Sequence, residues 1–110
     1  MTNQKLELPQ GTLDLLIMKA IALAPLHGWA VSERLKQMTQ DAVQVGQGSL
    51  YPSLHRLERR GLIRAKWGAT ENSRRARYYE LTRAGHKELQ AKTADWSRLT
   101  TVMGQVLDLC

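Results

Sequence analysis

Guanidinium groups dominate the residues of this chain that could do chemistry. The run GQGSLYPSLHRLERRGLIRAKW, from Gly46 to Trp67, sets Tyr51, Ser53, His55, Arg56, Arg59 and Arg60 outside a Leu50, Leu54, Leu57 stripe, with Glu58 the sole acid. Arg74, Arg75 and Arg77 follow in a polar stretch further on. Guanidinium forks match phosphate and the O6/N7 edge of guanine. Tyrosine and serine hydroxyls donate to phosphate oxygens. This is the chemistry of polyanion recognition.

Bond-breaking chemistry has no comparable support. His27, His55 and His86 fall in different elements, and the sequence contains no HExxH, CxxC, P-loop or nucleophile elbow. No catalytic residue, metal or cofactor is expected. His55 reads as a hydrogen-bonding side chain, and His27 and His86 as structural or solvated.

Composition points the same way. The chain has 110 residues and a formal net charge of +6, which suits one basic domain with a polyanionic partner. Such a length buries roughly two-thirds of its unfolded surface. Phenylalanine is absent, so Leu, Ile, Val, Met and Trp must build the core. The lone Cys110 excludes an internal disulfide and suits a reducing compartment. No signal peptide or membrane-length apolar run is read, so a cytoplasmic protein is expected.

The elements that must position these groups follow from periodicity. A helix from Gly11 to Ala24 carries Leu13, Leu16, Ile17, Ala20, Ile21 and Ala24 on one stripe. Leu15, Met18 and Ala22 make it apolar nearly all round, which calls for a second subunit. A second helix, from about Gly28 to Met38, has Val31, Leu35 and Met38 inward. The arginine-rich helix is expected to be capped by Ser49, with Pro52 in its first turn and Gly61 closing it. Alternation in LIRAKW puts Ile63, Ala65 and Trp67 opposite Leu62, Arg64 and Lys66, and RYYELT alternates again. Two strands around the ten residues GATENSRRAR make a hairpin with a long basic tip. Thr82 is placed to cap a last helix reaching about Leu107, with Leu89, Trp96, Leu99, Met103 and Val106 in a heptad-like seam. Its distal half extends past a small core and needs a partner subunit.

The expected fold is therefore mainly α with a small β-hairpin. It is a winged helix-turn-helix over residues 1–82 plus a long C-terminal dimerisation helix over residues 83–110. A helix about 10–12 Å across fits a major groove about 12 Å wide. The candidate DNA contacts are Tyr51, Ser53, His55, Arg56, Arg59, Arg74, Arg75 and Arg77. The candidate dimer contacts are Leu15, Met18, Leu89, Trp96, Leu99, Met103 and Val106.

The segments LPQGTLDLLIMKAI, HGWAVSERL, GQGSLYPSLHRLERRGLI and RRARYYELTRAGHKEL resemble those of PadR-family transcriptional regulators, in the compact branch with a short C-terminal helix. The resemblance implies a homodimeric repressor on a palindromic operator of double-stranded DNA. It also implies release by a planar or aromatic small molecule lodged between subunits beside Trp96. Read from its heptad position alone, Trp96 simply fills the dimer seam. The rival readings are a winged-helix module for RNA or protein, and a repressor of another helix-turn-helix family.

Overall fold

The computed structural model describes residues 8, 9 and 11–109. Cys110 and the start of the chain lie outside them. Four helices and a three-stranded antiparallel sheet run in the order α1 (Thr12–Ala22), β1 (Leu26–His27), α2 (Gly28–Met38), α3 (Gln47–Arg59), β2 (Ile63–Ala69), β3 (Arg75–Leu81) and α4 (Arg83–Leu107). The sheet order is β1-β3-β2. Register runs from Ile63↔Leu81 to Ala69↔Arg75, while β1 pairs Leu26↔Tyr79 and His27↔Tyr78.

One core joins every element. Ile17 and Ile21 of α1, Val31 and Leu35 of α2, Leu50, Leu54 and Leu57 of α3, Ile63, Tyr79 and Leu81 of the sheet and Leu89 of α4 are all buried in it. Several expectations move. Met38 is half exposed because α2 runs past the core; Val43, in the connector, is buried instead. Leu62, expected outward, is buried just ahead of β2. Trp67 shares a face with Ile63 and Ala65 but lies beyond the core and is exposed.

The termini of α3 also differ. The helix starts at Gln47, and Gly46 is its N-cap, without a side-chain cap bond. The Gly46 carbonyl accepts from Ser49 N (3.1 Å) and Leu50 N (3.0 Å), so Ser49 is a helical residue, not the cap. Pro52 consequently sits in the second turn, where its missing N–H removes the i+4 donor of the Gly48 carbonyl. Gly61 closes the helix at φ 73°, the left-handed region glycine enters freely.

The start of α4 follows the expected design. Thr82 Oγ1 accepts from Gly85 N at 3.0 Å. Gly85 stands where a capping-box Glu would go, because a Cβ there would collide with the Leu62 carbonyl oxygen. Beyond Leu89, α4 leaves the core. The radius of gyration, 15.3 Å, accordingly exceeds the roughly 13 Å of a compact chain this size.

Candidate nucleic-acid interface

The buried stripe of α3 dictates what faces outward. Leu50, Ser53, Leu54 and Leu57 are the buried residues of the helix. At 100° per residue the stripe opposite them is Gly48, Pro52, His55 and Arg59, all exposed. Gly48 and Pro52 keep the first half of that stripe low, so a groove floor can approach the backbone. His55 and Arg59 then project from its second half. Gln47 and Ser49 join the exposed first turn. They were missed in the sequence because glycine at Gly46 gives no side-chain capping signal.

Ser53 corrects the expectation of an outward hydroxyl. Its side chain is fully buried, at 0 % exposure, and its Oγ accepts from Arg56 Nη2 at 2.8 Å. It pins Arg56 rather than reaching a ligand.

Ion pairs divide the arginines. Arg56 Nη2 lies 3.0 Å from Asp14 of α1, and Arg60 Nη2 lies 3.0 Å from Glu88 of α4. Both pairs tie one flank of α3 to neighbouring helices. On the other flank Arg77 Nη2 reaches Glu58 at 2.7 Å. Among the described residues, Arg59, Arg74 and Arg75 have no carboxylate partner. Arg75 instead stacks its guanidinium 4.6 Å from the Trp67 ring centroid. On the opposite face of the hairpin, Glu80 receives Arg64 at 2.8 Å and Lys66 at 2.9 Å. Hydrogen bonds from Lys66 and then Arg64 hold its carboxyl below the ordinary carboxylate range. Burial pushes the Tyr79 phenol up, against the opposing pull of Arg77.

The hairpin is longer and its tip shorter than expected. Residues 70–74 make the turn, closed by Thr70 N donating to Arg74 O at 2.8 Å. Arg75 and Arg77 therefore lie on β3, and only Arg74 belongs to the loop. Tyr51 of α3 and Arg74, Arg75 and Arg77 of the hairpin line one cleft. The wing arginines thus share a cleft with Tyr51 at the edge of α3, while His55, Arg56, Arg59 and Arg60 lie outside its lining.

His27, read as structural, caps α2 by accepting from Ala30 N at 3.3 Å. β1, too short to show a period, holds it against β3. Of the seam residues, Met18 and Leu89 are buried in the chain's own core, at 2 % and 8 % exposure, which corrects their assignment to an interface. Leu15 is half-buried, and Trp96, Leu99, Met103 and Val106 are exposed. Among the described residues no cluster of three His, Cys, Asp or Glu could hold a metal, and no helix is long and apolar enough to cross a membrane.

Residues 17–91 match the transcriptional regulator PadR-like family. The chain belongs to the PadR-like family. A PadR family transcription regulator from Clostridium difficile is 28 % identical, covers 88 % of this chain and 99 % of its own, and superposes at a TM-score of 0.75. A PadR-like transcriptional regulator from Bacillus cereus is 26 % identical over 89 % of this chain and 93 % of its own, at a TM-score of 0.78. An uncharacterized 37.1 kDa protein in a transposon of Streptomyces fradiae is 35 % identical over 87 residues, or 79 % of this chain and 24 % of that protein. PadR-family proteins are transcription factors that bind DNA, not enzymes. The winged helix-turn-helix architecture here is that of the PadR family.

Proposed function

We propose that this PadR-family chain is a cytoplasmic, homodimeric repressor that reads a palindromic operator. Residues up to 82 form its DNA-binding unit, and α4 from residue 83 its dimerisation element. In this reading α3 enters the major groove with His55 and Arg59 foremost, Gln47 and Ser49 at its leading end and Tyr51 at its side. Arg74, Arg75 and Arg77 of the wing follow the sugar-phosphate backbone. The observation that supports it most is the cleft that Tyr51 of α3 shares with the wing arginines, which sets the recognition helix beside the wing cations.

The apolar surface of α4 supports the dimer. Trp96, Leu99, Met103 and Val106 recur along it and are exposed in the single chain. Contiguous apolar surface of this kind on a small protein marks an interface. Beside it, Leu15, Leu16, Leu89, Thr93 and Trp96 line a hollow of about 400 Å³. A second copy would roof that hollow and leave room for a planar aromatic effector stacked on Trp96.

The decisive experiment is a gel shift of the intergenic DNA beside the gene, using a fragment that contains an inverted repeat. Half-sites centred about 34–36 Å apart should be bound together by one dimer. Affinity should fall steeply with salt as phosphate contacts release counterions. Binding that ignores salt, or no binding to any duplex, overturns the proposal. For the effector, planar dyes should quench tryptophan fluorescence in the wild type and not in Trp96→Ala; identical titrations would remove the pocket.

A further inference from the structure

Two of the three tryptophans have no role in the core or in the α4 surface. Trp29, at the start of α2, is 66 % exposed, and Trp67, on β2, is 62 % exposed. Single exposed apolar side chains are ordinary, but open indoles gathered at one place mark a surface that something else covers. Both line the same cleft of about 670 Å³, between the start of α2, Tyr51 of α3 and the wing.

The cleft walls are braced from behind. Trp29 stacks on His27 at 6.3 Å between centroids, and His27 meets Tyr78 edge-on at 5.3 Å. Gly28 lets α2 approach Tyr51 closely: a Cβ there would come within 2.6 Å of the phenol oxygen. Trp67 lies under the Arg75 guanidinium, which fixes that cation at the rim instead of leaving it to wander through solvent. Arg74 and Arg77 also line the cleft. The acids near it are Glu71, on its rim, and Glu58, which Arg77 already engages. Three guanidiniums against two carboxylates leave the cleft cationic.

We propose that this cleft is the seat of one DNA backbone strand, with Trp29 and Trp67 packed against deoxyribose and Trp67 acting as the positioning residue for Arg75 on phosphate. The inference rests on the DNA reading above, which brings a strand between recognition helix and wing. Its chemistry fits each wall. Indole faces suit the apolar side of a sugar, while indole N–H, the Tyr51 hydroxyl and Arg75 are donors for phosphate oxygens. An open cleft also suits a polymer that enters and leaves. A small aromatic effector needs a site that encloses most of its surface.

The test measures duplex binding by the full chain across a salt series for wild type, Trp29→Ala, Trp67→Ala, Trp67→Phe and Arg75→Ala. Each alanine variant at a tryptophan should weaken every duplex about fivefold or more, and Trp67→Phe should recover most of the loss by restoring a ring under Arg75. The salt slope should stay unchanged in Trp29→Ala, fall by about 0.9 in Arg75→Ala, and fall part of that way in Trp67→Ala, where Arg75 loses the ring that holds it on phosphate. Because both indoles are solvent-facing, thermal melts should coincide with wild type. As an independent reading, saturating duplex should shield Trp29 and Trp67 from acrylamide in a Trp96→Phe background. Undiminished affinity in both tryptophan variants, or undiminished quenching, with wild-type DNA binding intact, would overturn the cleft and leave the DNA reading standing. Wild type that binds no duplex ends both.

Discussion

The Arg77 guanidinium of the wing lies 2.7 Å from the Glu58 carboxylate of the recognition helix. Both side chains are about one-third exposed, so the pair is worth little in stability, up to about 1 kcal/mol. Its effect is on charge. Glu58, the sole acid in the arginine-rich run, cancels one of the wing cations that faces the cleft.

Glu58→Gln should therefore release Arg77 toward phosphate. Non-specific duplex affinity should rise, and the slope of log K against log salt should steepen by about 0.9. Fluorescence anisotropy over a salt series reads both. A flatter slope would mean that Arg77 has to stay on Glu58 to hold the wing in place.

Arg56 and Arg59 should separate into a structural and a recognition residue. Arg56 is engaged by Asp14 and by the buried Ser53, whereas Arg59 stands on the outermost stripe of α3. Arg56→Ala should lower stability by about 0.5–1 kcal/mol and change DNA selectivity little. Arg59→Ala should leave the melting temperature alone and cost about 1–3 kcal/mol of binding. The reverse pattern would show that Arg56 leaves Asp14 to read a base.

This division was not visible in the sequence. The Leu50, Leu54, Leu57 spacing located the buried face of α3, and the Thr82 cap and Gly61 closure were read from residue type alone. Local periodicity and capping are short-range, so they survive without coordinates. Ser53 was in principle legible, since it falls three residues after Leu50 and four before Leu57, on the leucine face; its polarity concealed it. The pairs Arg56–Asp14 and Arg60–Glu88 join residues 42 and 28 positions apart, and no local pattern encodes such partners. Met18 fell to the core for a similar reason, since which side of a nearly all-apolar helix meets its own domain depends on tertiary packing. Leu89 did so because α4 is still docked on the core at that turn and leaves it only beyond.

Gly85 should be intolerant of any side chain. The first turn of α4 rests on the backbone of Leu62, and a Cβ would strike its carbonyl oxygen. Because the obstacle is backbone, it cannot rotate away. Gly85→Ala should destabilise by about 3 kcal/mol despite alanine's better helix propensity. Urea denaturation measures this; a neutral result would mean that α4 docks differently.

Glu80 sets an acid limit on the wing. Its carboxyl is held below the ordinary value of 4.5 by hydrogen bonds from Lys66 and Arg64. A depressed carboxylate stabilises the fold above its unfolded pKa, and that increment fades as pH falls through the folded value. Stability should therefore decline on acidification below about pH 4.5, and less so in Glu80→Gln. Thermal melts of both proteins from neutral to acid pH would expose the difference, and parallel profiles would assign the loss to other groups.

Leu99→Glu should separate the proposed dimer. Leu99 lies one helical turn after Trp96 and one before Met103, and its side chain is about half exposed in the single chain. The fold of one protomer does not depend on it. A pair of carboxylates at a closed two-fold seam would each be desolvated beside the other, an arrangement far more unfavourable than the lost apolar contact. Sedimentation should then report monomers with an unchanged circular dichroism spectrum. Loss of the second tethered reading head should also lower affinity for a two-half-site duplex at least about tenfold, while a single half-site is bound as before. A persistent dimer would place the subunit contact elsewhere on α1 or α4.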